Sequence, residues 1–341
     1  MNFSEINKIL IIRLSSLGDV ILTSPLIRTL KNKFPHLKID FLVREEFKDT
    51  VLFNPYLNSI ITFNKKENSF ELISKETKTE KSKNKIANLP SQNYDLVIDL
   101  QNNFRSRSIS KNLANRIFKF KKPSVKKFLL VKFKWNLLKE IIPIPVRYAN
   151  SIPEFKLDEN GLEIFTGSNE QKTILENNIG FCPGSRHKTK MWDENYFVEL
   201  GKMLSSEGKN ILIFGGKDDK EICAKISSQI ANSQNLSNDN KLFKTAEEMK
   251  KCKAVICNDS GLMHLAIAVN VPVIAIFGST VKEFGFMPYK GKSLVLENNS
   301  LSCRPCSHFG LGECPQKHFK CVLDITPQFV FNKTMEFIKA I

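Results

Sequence analysis

The chain has 341 residues, 42% hydrophobic and 25% charged, and its 51 Lys and Arg against 35 Asp and Glu give a formal net charge of +16. That length suits two domains, each with its own core, and no stretch approaches the ~20 apolar residues of a membrane span. The positive surplus calls for a polyanionic partner: nucleic acid, an anionic membrane surface or a phosphorylated substrate.

In chain order, Ile9 to Arg13 reads as a buried strand. Val20 to Lys33 has apolar residues at helical spacing and is closed by Pro35. The apolar run Ile9 to Ile12, ended by Arg13, is too short for a signal-peptide core, so a cytoplasmic protein is expected. Short strands at Ile39 to Val43, Ile60 to Phe63 and Leu96 to Leu100 make strands and helices alternate, as in a parallel sheet covered on both faces. Lys65 to Ser91, rich in Lys, Glu, Ser and Asn, reads as a mobile surface insertion. Arg105 to Lys134 then carries eleven Lys or Arg and no acid, interleaved with Phe118, Phe120, Phe128, Phe133 and the leucines at 129 and 130.

A second alternating series starts near Ile179. Asn195 to Glu207 and Lys220 to Asn232 read as helices, "NILIFGG" as a strand ending in a glycine pair, and "KAVICNDSGLMHLAIAVNVPVIAIFGS" as strand, turn, helix, strand. Prolines and polar residues collect between Pro143 and Leu162. The expected organisation is therefore α/β throughout: a Rossmann-like domain over 1–155, a second over 156–326 and a closing helix over 327–341.

Ligands of open α/β sheets bind beyond the carboxyl ends of the strands, where strand-to-helix turns present backbone N–H groups and a positive helix end. Three turns carry unusual chemistry. "SSLGD" places Asp19 after Gly18 at a helix start, where an Asp also serves as an ordinary cap. "CPGSRHKTKMW" follows a glycine turn with Arg186, Lys188 and Lys190, suited to phosphates or to a solvated loop. "NDSGLMH" sets Asp259, Ser260 and Gly261 before a helix whose first turn holds His264, a residue that a core also accommodates. No G-x-G-x-x-G follows a strand and "FGGKDDKE" lacks P-loop spacing, so dehydrogenase and P-loop kinase readings fall away.

"ILIIRLSSLGDVILTSPLIRTLKNKFP", "GSRHKTKMW", "NDSGLMHLAIAVNVPVIAIFGST" and the late "CRPC…CP…H…C…ITP" together resemble glycosyltransferase family 9, the ADP-heptose:lipopolysaccharide heptosyltransferases. The likeness runs from Lys8 to about Val330 and lapses at 65–91. It implies a GT-B fold, two facing Rossmann-like domains with a cleft between them, and inverting transfer of heptose from ADP-heptose to Kdo or the first heptose of the lipopolysaccharide inner core. By the same resemblance Asp19 is the general base, and Lys190 is the family's K-x-W lysine at the departing diphosphate. Asp259, Ser260, Gly261 and His264 fall on the donor-nucleotide motif with Gly18, Arg186 and Lys188 assisting, and Asp218 and Asp219 are weaker ribose or adenine candidates. Asp193 replaces the family's usual proline after K-x-W. No Asp-x-Asp occurs, consistent with metal-independent transfer.

Under this reading Arg105 and Arg107 are acceptor contacts. The basic, Phe-rich stretch is then a site for peripheral docking at the cytoplasmic face of the inner membrane, on anionic lipid or lipid A and its core, rather than for nucleic acid, since no nucleic-acid motif is present. Alternatives that the residues leave open are another nucleotide sugar, a non-lipopolysaccharide acceptor, or a catalytically inactive nucleotide-sugar scaffold; the oligomeric state is not legible. Cys303, Cys306, Cys314 and Cys321 form C-x2-C-x7-C-x6-C with His308 and His318 nearby, a series that admits either a structural zinc or packed thiols.

Overall fold

The structure, a computed structural model, describes residues 3–74, 84–86, 89, 94–167 and 174–341. It divides into two compact units, Met1–Lys122 with Ile144–Ser168, and Pro123–Pro143 with Asn169–Ile341.

The first unit opens with β1 (Lys8–Ile12), whose residues Ile9 to Ile12 are buried on both faces, as expected of a central parallel strand. Two short helices follow, α1 (Leu17–Ile21) and α2 (Ser24–Lys33). The sequence pattern predicts one helix from Val20 to Lys33, but Pro25 has no N–H to offer the Ile21 carbonyl, so the chain breaks after Ile21 and restarts behind Thr23. Next come β2 (Lys38–Arg44), β3 (Ser59–Asn64), β4 (Ser69–Ser74), β5 (Asn84–Ile86), β6 (Leu96–Asp99), α3 (Phe104–Ser110) and β7 (Ile117–Lys119), in the sheet order β5-β4-β3-β2-β1-β6-β7. β1 pairs in parallel with both β2 and β6, Ile11 lying opposite Phe41 and Ile98. Part of the expected insertion at 65–91 is sheet: β4 pairs antiparallel with β3, the Phe70 ring tilted against Phe63 at 5.1 Å between centroids, and β5 extends that edge. The alternation Phe70, Leu72 over one face supplies the reason; residues 75–83, 87–88 and 90–91 lie outside the described residues.

The chain then leaves for the second unit with α4 (Ser124–Phe133) and returns with α5 (Ile144–Ala149). The basic stretch 105–134 is thus divided between the two units. The first unit continues to Ser168 rather than ending near 155, because Arg28 of α2 bonds Asp158 twice (2.9 and 2.7 Å) and pairs with Glu163 at 3.0 Å.

The second unit holds β8 (Leu175–Cys182), α6 (Glu194–Ser206), β9 (Asn210–Ile213), α7 (Lys220–Ser227), β10 (Ser233–Asn235), α8 (Leu242–Met249), β11 (Cys252–Asn258), α9 (Gly261–Ala268), β12 (Val273–Phe277), β13 (Ser293–Glu297), α10 (Lys320–Leu323) and α11 (Pro327–Ala340). All strands are parallel, in the order β10-β9-β8-β11-β12-β13. α11, the expected closing helix, adds Val330 and Ile338 to a core shared with Phe197, Leu200 and Leu204 of α6.

In the first sheet the chain runs outward from β1 through β2 and β3, then resumes at β6 on the other side of β1. In the second it runs through β8, β9 and β10, then resumes at β11 beside β8. Strand order therefore reverses between β1 and β6 and between β8 and β11, and beyond the carboxyl ends at such points open sheets bind their ligands.

Candidate active site

In the first unit the reversal point is occupied by Asp19. Its Oδ2 accepts from the Ser16 hydroxyl (2.9 Å) and backbone N–H (3.3 Å), which is the capping role, while Oδ1 pairs with Arg13 at 2.6 Å and accepts from the Tyr148 hydroxyl at 3.4 Å. Burial disfavours ionisation of this carboxyl, but the Arg13 charge and the Ser16 hydrogen bonds outweigh it and hold Asp19 below the usual carboxylate range. The side chain keeps 19% exposure, so an anionic oxygen stays reachable. Arg13, on the turn after β1, is itself fixed by the carbonyls of Ser15 (2.9 Å) and Leu100 (2.8 Å) and stands 5.5 Å over the Tyr148 ring of α5. At the end of β6, Gln101 Oε1 accepts from the N–H groups of Leu14 and Ser15, and the buried Asp99 accepts from Gln101, Asn102 and Ser106, tying the two strand ends together. Arg107 is exposed and bonded to Asn102 at 2.8 Å, whereas the exposed Arg105 turns over the Phe63 ring at 5.9 Å.

In the second unit the turn after β8 carries Arg186, Lys188 and Lys190, and the turn after β11 carries Asp259 and Ser260. Lys190 Nζ pairs with Asp259 Oδ2 at 2.7 Å, an oxygen that also accepts from Thr280 at 2.6 Å. Arg186 and Lys188 point into solvent. His187, between them, is held below its ordinary pKa by partial burial and by the charges of Lys190 and Arg186. The Ser260 hydroxyl, at the N-cap of α9, is buried with no partner among the described residues, and His264 is packed inside at 3% exposure. Asp219 lies against the same turn: a Cβ on Gly184 would stand 2.1 Å from its Oδ1. Its carboxyl, raised by burial, accepts from Gly216 N–H at 2.9 Å, while Asp218 is exposed.

The lysine turn is anchored from three sides. Thr189 is buried, and its backbone and hydroxyl bond Ser279 and Leu311. A Cβ on Gly278 would meet the Thr189 carbonyl at 2.7 Å, so only glycine lets β12 end this close. The Trp192 indole N–H donates to the Ile325 carbonyl at 2.7 Å, and its backbone N–H donates to Asn258 Oδ1 at 2.9 Å. Asp193 caps α6 by accepting from Asn195 N–H, so this residue still starts the helix where the family pattern has proline.

Among the described residues no group of three or more His, Cys, Asp or Glu is arranged to hold a metal ion, so the expected zinc alternative finds no cage at Cys303, Cys306, Cys314 and Cys321. All eight cysteines are free thiols; Cys303 faces His318 at 3.9 Å, and Cys314 and Cys321 are buried. Arg13, Tyr148, Thr280 and Arg304 were not singled out from sequence. Arg304 is 3% exposed and donates to the carbonyls of Gly278 (2.6 Å) and Thr280 (2.8 Å) and to Glu297 (2.9 Å), fixing the turn that orients Asp259. The available signal was an arginine ending the apolar run of β1; Tyr148 comes from a distant segment and left none.

Each unit thus sets its candidate groups at a strand-order reversal, the first a shielded carboxylate and the second a group of cations beside a buried hydroxyl with no partner among the described residues. Residues 85–313 match the model of glycosyltransferase family 9 (heptosyltransferase). The chain is 30% identical over 332 residues to lipooligosaccharide heptosyltransferase 2 of Campylobacter jejuni, covering 95% of this chain and 96% of that one. Its fold superposes with a TM-score of 0.73 on a family 9 glycosyltransferase of Veillonella parvula, 21% identical with 98% of both chains covered. On the Escherichia coli ADP-heptose lipopolysaccharide heptosyltransferase II the TM-score is 0.66, at 23% identity with 98% and 99% covered. The α/β architecture of the two units is that of these GT-B enzymes, and the chain belongs to glycosyltransferase family 9, the heptosyltransferases.

Proposed function

We propose that this protein transfers heptose from ADP-heptose to Kdo or the first heptose of the lipopolysaccharide inner core, inverting the anomeric configuration in one displacement. An acceptor hydroxyl oxygen attacks the anomeric carbon as the bond from that carbon to the diphosphate oxygen breaks. The hydroxyl proton passes to Asp19, and the bonding electrons leave with ADP. The observation that carries the reading is the Asp19 carboxylate itself, kept ionised by Arg13 and Ser16 yet still solvent-accessible at the ligand-binding end of its sheet. A base must be unprotonated before it acts, and this one is ionised throughout the neutral range.

On the donor side, Lys190 rests on Asp259 until a diphosphate competes for its ammonium. Arg186 and Lys188 add charge, and the free Ser260 hydroxyl with the α9 N–H groups supplies donors to phosphate oxygens. Positive charge there stabilises the developing ADP trianion in the transition state. Gly18 is buried beside Asp19 in α1, His264 is packed inside α9, and the exposed Arg107 and Arg105 of α3, which follows β6, serve as acceptor contacts. The test is mass spectrometry of core oligosaccharides bearing Kdo alone or Kdo with one heptose after incubation with ADP-heptose. A gain of one heptosyl unit on either supports the reading. ADP binding without any gain removes the sugar or the acceptor from it.

A further inference from the structure

The segment Pro123–Pro143 belongs to the second unit and is anchored there by packing and by hydrogen bonds. Leu130 of α4 is buried with Leu138 and Phe284, and the Lys127 ammonium stands 5.3 Å from the Phe284 ring. Lys134 donates to the Cys303 and Pro305 carbonyls at 2.9 and 2.7 Å, and Asn136 to Glu283 at 3.0 Å. Its other side is apolar and open. Val125, Phe128, Leu129 and Lys132 fall at i, i+3, i+4 and i+7, one stripe of the helix, and Val125 is 72% and Phe128 55% exposed. Phe133 and Trp135 continue the stripe as a ring cluster, with centroids 6.2 Å apart from Phe128 to Phe133 and 5.3 Å from Phe133 to Trp135. Six of the twelve large apolar side chains exposed among the described residues lie between 125 and 141, so the patch is local and not the usual scatter. Around it stand the exposed Lys126, Lys132 and Lys139, with Glu140 the one acid between Arg105 and Pro143.

We infer that this face docks on an anionic phospholipid bilayer, Phe128, Phe133 and Trp135 entering the headgroup region while the lysines meet lipid phosphates. Aromatic rings prefer that interface, and their lysine neighbours draw them to a negative surface. A second copy is a poor occupant, because the same lysines and a net charge of +16 would face each other across the contact. The inference rests on the proposed function, whose acceptor is lipid-linked and reached at a membrane.

The chain has two tryptophans, and Trp192 is 1% exposed, so a lipid-dependent change in emission reports Trp135. The full-length protein is mixed with phosphatidylglycerol–phosphatidylcholine vesicles or with phosphatidylcholine alone, with and without brominated acyl chains. Expected are sedimentation with the anionic vesicles only, a blue shift, and quenching by the bromines. Combined Phe128→Ser, Phe133→Ser and Trp135→Ser should cut the bound fraction by about tenfold or more, and Lys126→Glu with Lys132→Glu should abolish the preference for anionic lipid. In both variants transfer to a soluble, deacylated core should match that of the parent. Equal binding to neutral vesicles, unquenched tryptophan, or lipid-free dimerisation that buries Trp135 overturns the inference. Intact vesicle binding with no transfer by the parent to any core acceptor overturns the proposed function and leaves the docking face standing.

Discussion

Replacing Arg13 by methionine isolates the device that keeps Asp19 ionised. Arg13 is 8% exposed and makes a 2.6 Å pair with Asp19 and two bonds to the carbonyls of Ser15 and Leu100. Its loss strands a mostly buried carboxylate and two backbone acceptors. Breaking a buried pair from one side costs about 3–5 kcal/mol, and the residual exposure of Asp19 brings the expectation to about 2–4 kcal/mol. For a unit of this size that lowers Tm by roughly 5–10 °C, measured by circular dichroism. The pH dependence follows from sign. Asp19 is depressed in the folded state, so its pairing stabilises fully above the ordinary carboxylate pKa and is lost as pH falls through the folded value. The parent should therefore hold constant stability and activity near neutrality. In Arg13→Met, burial acts on Asp19 unopposed by Arg13, and the acid limb of kcat/KM moves to higher pH. Arg13→Lys retains the charge but not the forked geometry and should fall between the two. An Arg13→Met protein with parental Tm and an unmoved acid limb would refute the claim that Arg13 sets the state of Asp19.

Lys190→Ala should weaken ADP binding and slow transfer together, by about tenfold or more each, as calorimetry and steady-state kinetics would show; unchanged ADP affinity would remove Lys190 from the phosphate site. Gly278→Ala forces a methyl against the Thr189 carbonyl, which should cost about 1–3 kcal/mol and reduce ADP affinity by displacing the lysine turn, whereas full retention of both would show that β12 does not set that turn. Exhaustive chelation should leave Tm unchanged; a fall of several degrees, restored by zinc, would show that the four late cysteines do bind metal.

The strands were legible because central parallel strands are continuous apolar runs: Ile9 to Ile12 and Val273 to Phe277 are buried on both faces and read as such. The strand-to-helix turns were legible because Gly, Asp, Ser and Lys interrupt those runs at the ligand-binding ends. What did not show was any relation between distant segments. Tyr148 reaches Asp19 across 129 residues, Arg304 reaches Gly278 from a cysteine-rich loop, and Pro123–Pro143 belongs to the second unit although it is inserted in the first. Each depends on tertiary packing that leaves no periodicity in the sequence. The break before Pro25 was readable in principle, since proline removes a helix hydrogen bond, but the apolar spacing on either side runs continuously through it.

The central claim is that Asp19 accepts the acceptor proton in heptosyl transfer. The most direct measurement is mass spectrometry of a heptose-acceptor core after incubation with ADP-heptose and either the parent or Asp19→Asn, with ADP affinity measured on both proteins. The account predicts one added heptosyl unit with the parent, a rate lower by about two to four orders of magnitude with Asp19→Asn, and similar ADP affinity. Transfer by Asp19→Asn at the parental rate, or a loss of ADP binding matching the loss of rate, would contradict it and leave Asp19 as the capping-box partner of Ser16 at the start of α1.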